Sequence, residues 1–192
     1  MGQILEWLSE GDLRSDGMSN EAADLVLKNP ELFDDLFEGL SVSDDVVRGR
    51  TADALEKIAR ARPDLLIDRL PKLLQVAEGD HVAMVKMHLA MIFGHLAMYE
   101  ERLLELVSIL LDLLDDGSVF TRSWAVVSLC IIGRKYPEEG HHILERIEPI
   151  LKDRSIAMRT KARKAVDLLT NKDATFPKGW IKSEHLQGLT GE

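Results

Sequence analysis

One pattern occurs four times along the chain, and it limits the fold more than any other feature of the sequence. A basic residue is followed by apolar or small residues three, four, seven, ten and eleven positions later, except in the last copy, where Arg163 and Thr170 occupy the fourth and eleventh positions. The copies begin at Arg48, Lys86, Arg122 and Arg159, so they are 38, 36 and 37 residues apart. These offsets place the apolar residues on one face of a helix. An amphipathic helix repeated at this period is typical of stacked helical repeats.

Each of the first three copies is followed by a short break and a second amphipathic stretch. The breaks fall at 62–63, 99–100 and 136–137, and turns rich in Asp, Gly and Ser separate one copy from the next. Such turns end one helix and cap the following one. No alternating β-branched run competes with this pattern. The sequence therefore predicts an all-α fold built from stacked antiparallel helix pairs.

The repeat also sets the expected domain organisation. We expect one α-solenoid domain over 1–172 and a C-terminal tail over 173–192. The domain comprises a capping helix within 1–17 (Ile4 to Leu13), a divergent repeat over 18–43, full repeats over 44–80, 81–117 and 118–154, and a terminal half repeat over 155–172.

Pro71 is expected to kink its helix or to follow a frayed first turn. In the tail, Phe176, Trp180 and Ile181 are expected to pack back as a cap, and residues 185–192 to be disordered.

A helix pair of 36–38 residues resembles the HEAT repeat family. The features that carry the resemblance are the arginine of the first helix (Arg48, Arg122 and Arg159), the alanine-rich stripe after it and the Asp-containing turn between copies. The resemblance covers 44–172 and, less closely, 18–43. It implies a right-handed α-solenoid, a HEAT- or armadillo-like superhelix of about four to five repeats. It says little about function, because one fold serves many functions.

Charge and cysteine content narrow the function classes. The net charge is −9, but residues 1–118 hold 11 basic and 24 acidic residues, a net of −13, whereas residues 119–192 hold 13 and 9, a net of +4. This distribution argues against a nucleic acid bound along the whole length, because phosphates need a continuous basic track. The single cysteine, Cys130, fits a reducing compartment. The apolar run Leu103–Leu114 is too short to span a membrane, so a cytoplasmic protein with no membrane contact is expected.

Few residues have a spacing that could form a catalytic or metal site. His81, His88 and His95 are seven residues apart on one predicted helix, about 10.5 Å at each step, which is too far for two of them to ligate one zinc ion. Four methionines on the same helix are expected to fill the core. No phosphate loop, nucleophile motif or metal-ligand spacing occurs. We therefore expect no enzyme activity, no cofactor and no metal.

Two surfaces are candidates for binding. The resemblance places the second helices on the concave face, where another protein of unknown identity, one with a basic patch, would bind. The expected contact residues are Asp68, Lys72, Gln75, Glu105, Ser108, Asp112, Glu145, Glu148 and Lys152. A second candidate is a patch for an acidic ligand, formed by Arg154, Arg159, Lys161, Arg163 and Lys164.

The leading hypothesis is a non-enzymatic protein–protein interaction module or scaffold. One alternative is a nucleic-acid-associated protein similar to HEAT-like DNA glycosylases, using the basic C-terminal end. Similarity to bilin lyases with HEAT-like repeats is another, although only the shared repeat supports it. A weak homo-oligomer, formed by the acidic N-terminal half against the basic end, is a further alternative.

Overall fold

The computed structural model describes residues 2–190. Over these residues the regular structure is entirely helical, with no β-strand, so the all-α prediction is confirmed. The chain divides into two compact units, Met1–Ile92 and Phe93–Glu192. In the described part of the chain, no helix is long and apolar enough to cross a membrane.

Within the described residues 2–92, the first unit contains six helices and most of a seventh. They are α1 (Gln3–Leu8), α2 (Ser19–Lys28), α3 (Phe33–Phe37), α4 (Asp45–Ala61), α5 (Asp64–Ile67), α6 (Leu70–Gly79) and α7 (Ala83–His95), the last of which ends in the second unit. Short 3-10 turns occur at Pro30–Leu32 and Glu38–Ser41. Helix α4 begins where Asp44 caps it, since its carboxylate accepts from the backbone N–H groups of Val46 and Val47.

Helix α4 is the centre of the first unit. Helices α1, α2 and α3 all pack against it. Near its start, Gly49 approaches Met84 of α7. These contacts leave α4 almost enclosed, and its buried residues include the charged Arg48, Arg50, Asp53 and Glu56.

One expectation for the first unit is wrong, and a second is decided between its two alternatives. The helix predicted over Ile4 to Leu13 ends at Leu8. The chain then turns, and Gly11 and Gly17 adopt positive φ angles of 84° and 53°, which a helix does not allow. Of the two alternatives for Pro71, a kink does not occur: the helix is interrupted after the single turn of α5, which ends at Ile67, and Pro71 lies in the first turn of α6.

As far as residue 190, the second unit contains four helices after the end of α7. They are α8 (Leu103–Leu113), α9 (Val119–Lys135), α10 (Gly140–Ile147) and α11 (Ile156–Thr170). Short 3-10 turns occur at Leu96–Met98, Glu100–Arg102, Pro137–Glu139, Glu148–Lys152 and Glu184–Thr190. Ser118 and Ser155 cap α9 and α11 by accepting from the backbone N–H groups of Thr121 and Met158.

Helices α9 and α11 lie side by side and run in the same direction. Near their C-terminal ends, Gly133 approaches the side chain of Leu169. One turn into α9, the Trp124 ring lies 5.8 Å from Lys161 Nζ. The two contacts join residues 36 and 37 positions apart, which is the period of the sequence pattern.

The tail folds back on the second unit. Phe176, Trp180 and Ile181 are buried, as expected from the sequence. Arg134 of α9 holds the chain where it leaves α11, since its guanidinium donates to the carbonyls of Leu168, Asn171, Lys172 and Ala174. The expectation of disorder is wrong for residues 185–190, which belong to the 3-10 turn Glu184–Thr190. Residues 191 and 192 lie outside the described residues.

Candidate functional site

The predicted contact residues of the second helices are exposed. In the first unit they lie at the end of α5 and on α6, and in the second unit on α8, on α10 and in the turn after it. The exposed residues are Asp68, Lys72, Gln75, Glu105, Ser108, Asp112, Glu145, Glu148 and Lys152. They alternate with buried leucines and isoleucines at helical spacing, so each second helix presents one polar stripe.

Some of these side chains are partly engaged with neighbours on the same helix or turn. Arg102 donates to Glu105 at 2.5 Å, and Lys72 donates to Gln75 at 3.3 Å. Glu145 Oε1 lies 3.6 Å from His141 Nδ1. Exposed pairs of this kind contribute little to stability and are readily exchanged for a partner's groups.

Beside the polar stripe, each unit has a shallow cleft with an ion pair at its wall. In the first unit a cleft of about 320 Å³ is lined by Lys72 and Gln75 and by the pair Arg48–Asp80. In the second unit a cleft of about 340 Å³ contains the pair Arg122–Asp153. The two partners are 32 residues apart in sequence in the first pair and 31 in the second. The same arginine position of the repeat therefore reaches the same kind of turn in both units.

The charges of these pairs are satisfied within the protein. The hydrogen bond from Arg122 lowers the pKa of Asp153, and the backbone N–H of Ser155 adds to the effect. The hydrogen bond to Asp80 raises the pKa of Arg48. Each carboxylate is therefore paired with a largely buried arginine, which suits a structural tie and not a general base.

The first unit contains a buried polar network that was not predicted from the sequence. Asp53 of α4 accepts from Ser19 Oγ at 2.5 Å and from Lys57 Nζ at 2.8 Å. His88 Nε2 of α7 lies 3.2 Å from the other carboxylate oxygen of Asp53, and its Nδ1 lies 2.9 Å from the carbonyl of Met84. Burial lowers the pKa of His88, although the nearby Asp53 and Glu56 oppose the shift.

This network contains the residue types of a nucleophilic triad without its geometry. Ser19 donates to Asp53, whereas a triad serine donates to the histidine. Ser19 is also fully buried, so a substrate does not reach its hydroxyl. The network packs α2, α4 and α7 together.

The remaining candidate groups are the histidines and methionines between residues 81 and 98 and the single cysteine. His81 is exposed, whereas His88 and His95 are buried. Between residues 2 and 190 no group of three or more His, Cys, Asp or Glu side chains is arranged to hold a metal ion. Met91 is buried and its three neighbours on this segment, Met84, Met87 and Met98, are half-buried. Cys130 is buried, and burial raises the pKa of its thiol, which makes it a poor nucleophile.

The structure divides the predicted acidic-ligand patch in two. Arg154, Arg163 and Lys164 are exposed. Arg159 instead turns back and donates to the carbonyls of Asp153 at 2.6 Å and Arg154 at 3.1 Å. Lys161 is half-buried against tryptophan, so only part of the patch faces outward.

Lys161 lies between an indole of α9 and an indole of the tail. Its Nζ lies 5.8 Å from the Trp124 ring and 4.6 Å from the Trp180 ring. Lys182 Nζ lies 4.7 Å from the Trp124 ring, so the tail brings both an indole and a cation to this site. Burial lowers the pKa of Lys161, and the neighbouring charge of Lys164 lowers it further. The tail is thereby fixed to α9 and α11 by cation–π contacts.

Comparison with known proteins identifies no family for this chain. No protein-family model matches the chain, and no curated protein matches it.

Proposed function

We propose that the protein is a non-enzymatic protein–protein interaction module or scaffold of the HEAT-like solenoid type. In this proposal the second helices line a concave face, and a partner protein binds to their exposed polar stripe. The repeat period of the sequence and the parallel packing of α9 and α11 at the same period support the solenoid arrangement.

The single observation that carries the proposal is the contrast between first and second helices. Helix α9 buries a continuous run from Ala125 to Gly133. Helices α8 and α10 instead keep an exposed stripe that includes Glu105, Asp112 and Glu145. A polar stripe repeated on successive elements suits binding of an extended surface better than catalysis at one point.

The chemistry of the stripe favours a partner with basic residues. In the second unit its charged members are Glu105, Asp112, Glu145 and Glu148, opposed by Lys152. Electrostatic complementarity of this kind gives specificity and fast association. The proposal places the module in the cytoplasm, because its lone cysteine is buried and has no second cysteine with which to form a disulfide within the chain.

The proposal is tested by affinity capture from the native lysate with two matched double variants as bait. Glu105→Lys with Asp112→Lys reverses two exposed charges on α8, and Glu21→Lys with Asp24→Lys reverses two exposed charges on α2. A protein captured by the wild type and the α2 variant, but lost on the α8 variant, supports the proposal. Equal capture by all three baits, or no specific capture by any, overturns it.

A further inference from the structure

Among the exposed large apolar side chains of the second unit, Phe120 and Ile156 lie at the starts of the neighbouring helices α9 and α11. Phe120 of α9 is 71% exposed and Ile156 of α11 is 70% exposed. Phe120 lies one helical turn before Trp124, and Trp124 contacts Lys161 of α11. Because α9 and α11 run parallel, Phe120 stands beside the first turn of α11, where Ile156 lies. Adjacent exposed apolar residues of this size are typical of an interaction site.

The outer face of α11 adds positive charge to this apolar pair. Arg163 and Lys164 follow Ile156 by seven and eight residues, so all three share one face of the helix. Both cations are exposed, and neither forms an ion pair with any residue between 2 and 190. Asp167 is the exposed acidic residue on the same helix. The face therefore combines apolar anchors with cations that are available to a ligand.

We propose that this face, defined by Phe120, Ile156, Arg163 and Lys164, binds an acidic peptide segment that carries at least one large apolar side chain. The apolar side chain would cover Phe120 and Ile156, and the carboxylates would pair with Arg163 and Lys164. From Ile156 to Lys164 the helix rises about 12 Å, which an extended peptide spans with about four residues. The site is thus sized for a short linear segment.

A nucleic acid fits the same face less well. Phosphates require a continuous series of cations, whereas here two cations lie two turns away from an apolar pair. Arg159 is turned toward backbone carbonyls and Lys161 is enclosed by indoles, so neither extends the series. A peptide that alternates apolar and acidic side chains matches the observed arrangement.

The test measures fluorescence anisotropy of a labelled twelve-residue peptide of alternating Glu and Phe or Leu, with the full chain at about 0.1 M salt. The matched probes are the same peptide with Ser at every apolar position, and a dT oligonucleotide of equal length. We expect the apolar peptide to bind with an affinity that falls as salt is added. The Ser peptide and the oligonucleotide are expected to bind at least about tenfold more weakly.

Matched variants locate the site. Arg163→Glu with Lys164→Glu, and separately Phe120→Ser with Ile156→Ser, should each weaken peptide binding about tenfold or more. Arg14→Glu with Lys28→Glu reverses two exposed charges in the first unit, outside both proposed surfaces, and should leave binding unchanged. All six positions are exposed, and circular dichroism melting checks that each variant folds.

Three outcomes overturn the inference. The first is an equal loss of binding in the control variant, and the second is tighter binding of the oligonucleotide than of the apolar peptide. The third is absence of peptide binding together with salt-sensitive dimers in sedimentation velocity, which would make a second copy of the chain the occupant of this face. None of them bears on the stripe of α8 and α10, because the two surfaces share no residue.

Discussion

Arg48 and Asp80 form an ion pair that joins the start of α4 to the turn after α6. Arg48 Nε donates to Asp80 Oδ2 at 2.8 Å, and both side chains are largely buried. Arg48 also donates to the carbonyls of Val42 and Ser43. One guanidinium therefore fixes two turns at the same end of the helix.

Replacement of Asp80 by alanine is expected to lower the free energy of unfolding by about 2–4 kcal/mol, because it leaves a largely buried guanidinium without its main carboxylate. Urea denaturation monitored by circular dichroism measures the change. The control is Asp64→Ala, which removes the exposed pair with Arg62 and should have a much smaller effect. Equal effects of the two substitutions would show that burial of the first pair does not matter.

Arg50 is expected to be the residue that holds the N-terminal segment in place. It is 1% exposed and donates to the carbonyls of Leu8, Glu10, Asp12 and Ser15. Arg50→Met should leave these carbonyls without their donor, lower stability by about 3 kcal/mol and speed amide exchange of the first eighteen residues. Hydrogen exchange with mass spectrometry tests this, with the exposed Arg14→Met as the control. Unchanged exchange in the first eighteen residues would refute the role of Arg50.

The helices and the buried tail residues follow from local signals in the sequence. Helices α4, α9 and α11 begin directly after Asp44, Ser118 and Ser155, because capping is a property of neighbouring residues. The burial of Phe176 and Trp180 likewise follows from two large aromatic residues in a short segment.

The polar interior is not encoded locally. Arg50 and Asp53 have the appearance of solvent-facing positions on an amphipathic helix, but α1, α2, the turns between them and α7 enclose these side chains. The same limit applies to the basic end of the chain. Composition groups Arg159 and Lys161 with Arg163, whereas Arg159 turns back onto the carbonyls of Asp153 and Arg154, and Lys161 is engaged by indoles from α9 and the tail. The exposed pair Phe120 and Ile156 has only a weak signal, a large apolar residue within two positions of a capping serine.

His88 is expected to make the protein less stable in mild acid. Burial lowers its pKa in the folded state below the ordinary value of 6.5, so the unfolded chain binds the proton more readily. Stability should therefore fall as the pH drops below about 6.5, until the lowered pKa of the folded state is reached. The facing charged groups are Asp53, Glu56 and Lys57 of α4.

The measurement is the free energy of unfolding by urea at several pH values from 7.5 to 5, for the wild type and His88→Gln. The difference between the two curves isolates His88 from the many exposed carboxylates, which are common to both proteins. The wild type should lose more stability than the variant over this range. Parallel curves would show that His88 is not the titrating group.

Trp180 is expected to anchor the tail. It is buried and lies 4.6 Å from Lys161 Nζ, so Trp180→Ala removes both apolar contact and a cation–π interaction. We expect a loss of about 3–5 kcal/mol and faster amide exchange over 173–190. The control is Phe120→Ala, an aromatic truncation at an exposed position of the same unit. A tail that keeps its protection without Trp180 would assign the anchoring to Phe176, Ile181 and Arg134 instead.

Gly94 lies at a close approach between the end of α7 and α9. A Cβ atom at Gly94 would lie well inside 3.0 Å of Ser128 Oγ and 2.9 Å from Ser128 Cβ, closer than side chains normally approach. Gly94→Ala should therefore lower stability by about 1–3 kcal/mol, although alanine is the better helix former. In a Ser128→Gly background the obstructing atoms are absent, and the same substitution should become stabilising by up to about 1 kcal/mol. A double-mutant cycle by thermal denaturation measures this change of sign, and Gly94→Ala with the same effect in both backgrounds would place the two helices farther apart than the structure does.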